Sequence, residues 1–363
     1  KWGYVTRRVS GHEDTQVSAG VNTPRLGDFV VARVTTIGEH DHLENVHGRR
    51  VRMFPGDIVV GAYGNRYATD FYEGYLPTAN EKVHLLTAGG LIGTVASSHT
   101  SKGAPTELEV LGALTDSTGA PISADDVAIG LTTPARPGLG TIVVLGSSMN
   151  AGKTTVAAAL VRGLSQAGIR VGAGKVTGSG SGKDHWAYVD AGAAVVTDFL
   201  DFGMASTFGY PHDRLIETMI AIRNHLADGG AEVAVLEIAD GVLQHETRAL
   251  AAQLPGFSDQ VVLAVGDALG AVAGIEVLNE LGVKVGAVSG LVTASPLASR
   301  EAASATGLPV ITPGEFAGGA ALDLLPKPHT LVRPPVDAPV GVPVGVPVEA
   351  RASELVELGG PSA

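Results

Sequence analysis

One stretch limits the folds open to this chain more than any other: residues 141–155, TIVVLGSSMNAGKTT. Its first half, Ile142-Val143-Val144-Leu145, is the kind of apolar, β-branched run that forms a strand buried on both faces. A glycine-containing loop follows, then Gly152-Lys153-Thr154-Thr155 and a helical run, VAAALVRGLSQAG. Strand, loop, Gly-Lys-Thr and helix, in that order, describe a phosphate-binding loop. N–H groups in such a loop and at the helix N-terminus point at anionic oxygens. On this reading Gly146, Ser147, Asn150, Ala151, Gly152, Lys153, Thr154 and Thr155 form the nucleotide-binding set. Lys153 supplies a point charge to the β- and γ-phosphates, and the Thr154 hydroxyl reaches Mg²⁺. An ordinary glycine-rich turn gives no reason for a lysine at the loop's end. The usual pattern is Gly, four residues, then Gly-Lys. Here Ser147 holds that first position and the glycine lies one residue earlier, at Gly146.

At 363 residues the chain has room for about two domains plus extensions, and its 45% apolar content is ample for cores. No apolar stretch of transmembrane length is free of glycine or charge, and no signal peptide is visible, so a cytoplasmic protein without a membrane partner is expected. The chain starts at Lys1 rather than methionine, and a few native residues are expected to precede it. With 0 cysteines, disulfides, thiol catalysis and thiolate metal sites are excluded. A net charge of −12 argues against a broad nucleic-acid surface. The expected partners are a small-molecule substrate and further copies of this chain.

Residues 1–25 are polar and lack sustained periodicity; they read as an extension of uncertain order, with one edge strand near 2–9. From Gly27 the texture is β. Gly27-Asp28-Phe29-Val30-Val31-Ala32 is echoed by Gly56-Asp57-Ile58-Val59-Val60-Gly61, each a turn dipeptide followed by a β-branched run. Short runs at 84–87, 91–96 and 108–114 complete what reads as a small β-barrel or sandwich over 26–131. Two segments there are more polar than turns require. Glu39-His40-Asp41-His42-Leu43-Glu44 is either a metal-ligand cluster or a solvated loop. Gly64-Asn65-Arg66-Tyr67-Ala68-Thr69-Asp70 follows a strand, where loops often carry binding residues; a surface ion pair is the alternative for Arg66 and Asp70.

Residues 132–140, rich in Pro and Gly, mark a linker. From 141 to about 325 strand and helix alternate, which predicts a doubly wound, mainly parallel α/β sheet covered on both faces. Beyond 325 repeated Val-Pro and Val-Gly steps predict an extended tail, with a weak helix at 350–358. Ligands in such sheets sit beyond the carboxyl ends of the strands, so the residues there matter most. The run Val233-Ala234-Val235-Leu236 ends in Glu237, with Asp240 close behind, and an acid there can hold Mg²⁺. Lys175 ends another strand and is followed by Thr177 and a glycine/serine loop with Lys183, Asp184 and His185. A lysine buried near phosphates stabilises charge developing on a transferred phosphoryl group; a snorkelling strand-end lysine is the plain alternative. Asp198 and Asp201 are three apart and share a face if helical, so one of them, Asp198 in the set chosen here, completes the Mg²⁺ shell with Thr154 and Glu237. The catalytic set is then Lys153, Lys175 and Glu237.

These residues carry a resemblance. Gly146, five residues, then Gly152-Lys153-Thr154 resembles the phosphate loop of dethiobiotin synthetase and its relatives among the P-loop NTPases. Gly-Ala-Gly-Lys175-Val-Thr-Gly-Ser-Gly resembles the lysine-bearing strand end that faces phosphate and substrate in that family. The strand ending at Glu237 resembles its acidic metal ligand, although the Glu-Gly start typical there is absent. The same features, with the segment from Asp190 to Phe199, resemble the C-terminal domain of the DUF1611 family. The resemblance spans about 140–315 and leaves the β domain aside. Ser148 stands where the MinD/ParA ATPases carry a signature lysine, and Val265-Gly266-Asp267-Ala268 replaces a guanine motif, so ATP is favoured over GTP. The resemblance implies Mg·ATP-dependent phosphoryl transfer to a small molecule, as a kinase or as a ligase acting through an acyl phosphate. The competing expectations are a nucleotide-switch NTPase or chaperone acting on a protein partner, and a regulatory module with negligible turnover.

Overall fold

The computed structural model describes residues 1–9, 14–18, 23–78 and 81–325. The tail and weak helix expected beyond 325 lie outside the described residues.

The N-terminal half is a mixed sheet. Its strands are β1 (Gln16–Ser18), β2 (Phe29–Thr36), β5 (Ile58–Tyr63), β6 (Tyr72–Tyr75), β7 (Val83–Leu85), β8 (Leu91–Ser98) and β9 (Glu107–Thr115); β3 (His42–Glu44) and β4 (Arg50–Arg52) form a separate hairpin. β2 pairs with β5 and β9, β5 with β8, and β7 with both β8 and β9, so the hydrogen-bonded ladder returns on itself. Alternate side chains from these strands, among them Val30, Ala32, Val59, Leu85 and Ile92, pack into one buried cluster.

The second half alternates as the pattern predicts. β10 (Gly140–Gly146), α1 (Lys153–Gln166), β11 (Val171–Lys175), α2 (Gly182–Ala191), β12 (Val195–Asp198), α3 (His212–Asp228) and β13 (Val233–Glu237) are followed by α4 (His245–Ala251), β14 (Gln260–Ala264), α5 (Ala268–Glu280), β15 (Ala287–Ser289), α6 (Pro296–Thr306) and α7 (Pro313–Ala317). The six strands are parallel, in the order β12-β11-β13-β10-β14-β15. Ile142 and Val144 face one way, with α1 and α7; Val143 and Leu145 face the other, with α3 to α5. Both faces are covered, which explains why these strands read as unbroken apolar runs. Two boundaries differ from expectation. The glycine/serine loop ends sooner, because Ser181 caps α2 by accepting from Lys183 N. The strand expected at 309–311 is a single bridge from Val310 to Val288.

The N-terminal extension is built in rather than loose. Trp2 bridges to Val60 and Gly3 to Asn45, and Tyr4–Thr6 form a buried 3-10 turn in place of the expected edge strand. Tyr4, Val5 and Val9 belong to the same buried cluster as Phe29 and Leu91 from the β sheet and Leu145 and Phe199 from the parallel sheet. One core therefore runs through both halves. Gly89 is placed where a Cβ would lie 2.0 Å from Gly180 O, so the two backbones meet at a distance only glycine allows.

Candidate functional site

The loop of residues 146–152 lies at the carboxyl end of β10, between β13 and β14. Ser147 N donates to Ala264 O at 2.9 Å, anchoring the loop to β14. Asn150 and Gly152 adopt left-handed backbone conformations, φ 62° and 98°, which turn the chain into α1. Lys153 is 6% exposed and folds back over the loop, its Nζ donating to Ser148 O at 2.8 Å. A Cβ at Gly146 would lie 2.8 Å from Lys153 Cδ, so only glycine leaves room for that lysine. Val156 N donates to Gly152 O, and among the described residues the N–H groups from Ser148 to Thr155 donate to no protein acceptor. A curved run of free N–H groups under a buried lysine fits a polyphosphate.

Beside the loop, sheet register aligns two adjacent strand ends: Lys175 stands opposite Glu237, and Glu237 opposite Val144. The Thr154 hydroxyl donates to Asp184 Oδ1 at 3.0 Å and lies 3.3 Å from Glu237 Oε1. Lys175 pairs with Asp184 and lies 3.9 Å from Glu237. The Tyr188 hydroxyl donates to the other oxygen of Glu237. Burial disfavours the Lys175 ammonium, but Asp184 and Glu237 outweigh it and hold the lysine charged above its ordinary range. Burial pushes Lys153 down, partly offset by Glu237 and Asp240. Asp184 and Glu237 with the Thr154 hydroxyl make an all-oxygen donor set of the kind a hard divalent cation takes.

Asp198 departs from expectation. It ends β12 opposite Lys175, yet its carboxylate meets Arg7 at 2.9 Å and caps the following turn by accepting from Leu200 N. Asp201 joins the same pair, 2.9 Å from Arg7. The acid beside Thr154 and Glu237 is instead Asp184. Its signal in the sequence was the four-residue spacing to Tyr188, which puts both on one face of a helix. The segment at 39–44 gathers no metal-ligand cluster. His40 stacks on Phe71 and meets Leu86 O, Glu39 accepts from Gly103 N, and Glu44 turns toward α2. Among the described residues no group of three or more His, Cys, Asp or Glu is arranged for a metal.

The β half reaches the site twice. Asp70 accepts from Asn150 Nδ2 at 2.7 Å, touching the phosphate loop at its left-handed non-glycine residue. Glu44 accepts from Gly182 N at 2.9 Å and from the Ser181 hydroxyl at 3.1 Å, at the N-terminus of the helix that carries Asp184.

No family model and no curated protein matches this chain. Among solved structures it is similar to the signal recognition particle 54 kDa protein of Aeropyrum pernix K1 in complex with GDP, at 20% identity, 53% of this chain, 49% of that chain and TM-score 0.35. The receptor FtsY of Elizabethkingia anophelis follows at 16% identity, 51% and 68% coverage and TM-score 0.33. Chloroplast FtsY of Physcomitrella patens matches at 13% identity, 52% and 67% coverage and TM-score 0.35. The chain spans about half the length of the first of these. The second half is an α/β fold around a six-stranded parallel sheet, and among the described residues no helix is long and apolar enough to cross a membrane.

Proposed function

We propose that this chain is a Mg²⁺-dependent P-loop NTPase whose N-terminal β domain reads the state of the nucleotide site. The observation that carries this is the contact from Asp70 to Asn150. Asn150 sits in the phosphate loop with φ 62°, and a β-domain carboxylate holds that conformation from outside. The Glu44 cap on α2 supports the reading, because it ties the β domain to the element bearing Asp184. In this reading the N–H groups of 148–155 and Lys153 hold phosphate, and Thr154, Glu237 and Asp184 hold Mg²⁺, which neutralises phosphate charge when bound. The phosphate-loop spacing supports the dethiobiotin-synthetase-like class, and Val265-Gly266-Asp267-Ala268 in place of a guanine motif supports ATP as the nucleotide.

A second reading is phosphoryl transfer to a small molecule, as a kinase or ligase. Asp240, at φ 65°, favours it: its carboxyl is half-buried near Lys153 and Lys175 and pushed up to about 6 by desolvation, the range that suits a general base. The two readings separate on turnover and on coupling. Hydrogen exchange of residues 39–50 and 64–75 is expected to slow on addition of Mg·ATP. Asp70→Ala is expected to abolish the response at 64–75 while keeping nucleotide affinity within threefold. Unchanged exchange in the wild type, with ADP release that requires a metabolite, would decide for transfer.

A further inference from the structure

Arg66 has a setting apart from the phosphate loop and the acids beside Thr154. Its backbone is fixed by paired hydrogen bonds with Gly74, at 2.8 and 3.0 Å, so the side chain leaves from a rigid point. The guanidinium lies over the Phe71 ring at 4.5 Å and near Tyr72 at 5.9 Å. One amino group, Nη1, donates to Leu86 O and lies 3.4 Å from His40 Nε2. The other donors of the fork have no protein acceptor among the described residues, and no carboxylate lies within ion-pair distance. His40 adds no competing positive charge, since burial and the neighbouring Arg66 push it down to about 4 and leave it neutral. Burial presses Arg66 itself down to about 10, against the weaker pull of Asp70 and Asp240.

The surroundings form a place for a ligand. The segment of residues 64–70 runs against 206–209 of the α/β half. The Ser206 hydroxyl donates to Asn65 O at 2.6 Å, and Tyr67 packs on Phe208 at 5.5 Å between ring centres. Gly209 N in turn donates to Glu246 at 3.0 Å. Asp70 on this same segment touches Asn150, so the segment borders the phosphate loop. A partly buried guanidinium without a counter-ion is costly unless an anion completes it. Arginine presents a planar fork that matches two oxygens of a carboxylate or phosphate.

We propose that Arg66 is the oxyanion anchor of a second binding position at the border of the β domain and the phosphate loop. The bound group is a carboxylate or phosphate oxygen pair, held by the fork's free donors while Leu86 O and the Phe71 ring fix the guanidinium. Its source is either a separate small molecule or the terminal phosphate of the nucleotide. The position goes beyond the switch reading and exists whether or not that reading holds.

The test uses the full chain and Arg66→Gln, which keeps a donor for Leu86 O and loses the charge. Succinate and inorganic phosphate are titrated calorimetrically, each with and without Mg·ADP, and ATP and ADP affinities are measured in parallel. A probe that binds the wild type and loses at least tenfold in the variant, with ADP affinity unchanged, supports a separate small molecule. No probe binding, with ATP but not ADP weakened at least tenfold, supports the nucleotide's terminal phosphate. Equal behaviour of both proteins in every arm overturns the proposal and leaves Arg66 a stacking clamp. If the wild type binds no nucleotide but binds a probe that the variant loses, the phosphate-loop reading fails and this one stands. If Arg66→Gln does not fold, Arg66→Lys, which keeps charge and loses the fork, is read in the same way.

Discussion

Asp240 shows how a single position combines backbone and charge. Its left-handed φ of 65° is one that Asp and Asn tolerate better than other side chains. Burial raises its carboxyl from 3.8 to about 6, offset in part by Lys153 and Lys175. A raised carboxylate binds its proton more tightly in the folded state. Stability is therefore full below 3.8, falls as pH rises toward about 6, and stays reduced above it. The span caps the loss at about 3 kcal/mol, at 1.36 kcal/mol per unit. Asp240→Asn is expected to raise the unfolding free energy by about 1–3 kcal/mol at pH 7.5 and to leave it unchanged near pH 3.5. Denaturant midpoints at the two pH values measure it; equal changes at both would place the effect in the backbone rather than the charge. The sequence showed Asp240 only as a second acid after a strand, because its charge state depends on burial and on Lys153 of α1 and Lys175 of β11, which the fold brings in. Lys175 was visible as a strand-end lysine near phosphate, but its pairing with Asp184 makes it as much a partner of the metal-site acids as a phosphate ligand.

At the scale of elements, the parallel sheet and the phosphate loop were readable because each signal is local: an apolar run for a buried strand, Gly-Lys-Thr opening a helix. The start of α2 was not. Residues 178–184 are glycine- and serine-rich and read as loop, while the carboxylate that helps fix the helix start, Glu44, lies 138 residues from its partner Gly182 N. Such a contact leaves no periodic trace in either segment. Glu44 accepts two bonds there and complements the positive end of the helix. Glu44→Ala is expected to cost about 1 kcal/mol of stability, the usual range for a lost N-terminal partner. Faster hydrogen exchange confined to residues 182–188, with the Mg²⁺ requirement of turnover shifted upward, would show that the β domain positions Asp184. Exchange that rises evenly across the chain would show a general loss of stability.

Across the whole molecule, the first nine residues bind the two halves together. Lys1 pairs with Asp57, Val5 N donates to Gly89 O at 3.0 Å, and Arg8 donates to Val127 O at 2.7 Å. Arg7 goes furthest, spanning 191 positions in sequence to reach Asp198. Polar, aperiodic residues gave no sign of this, since an arginine's buried partner is set by tertiary packing alone. The pair is nearly dry: side-chain exposure is 12% for Arg7, 7% for Asp198 and 12% for Asp201. Removing one partner of such a group leaves charge buried and uncompensated, which costs about 3–5 kcal/mol. Arg7→Met keeps much of the packing and deletes the charge, so a loss of that size is expected in chemical unfolding at pH 7. The pH dependence identifies the cause. Burial opposes ionisation of Asp201, yet Arg7 and Thr197 hold its carboxyl below the ordinary 3.8. A depressed carboxylate stabilises the fold above its unfolded value, and that contribution is lost as pH falls through the lower folded value. The gap between wild type and Arg7→Met should therefore shrink as pH falls below 3.8, as Asp201 becomes protonated and its need for a cation ends. A gap that stays constant from pH 7 to pH 3 would mean that Arg7 acts through its packing over Tyr4, at 4.8 Å, and not through the buried carboxylates.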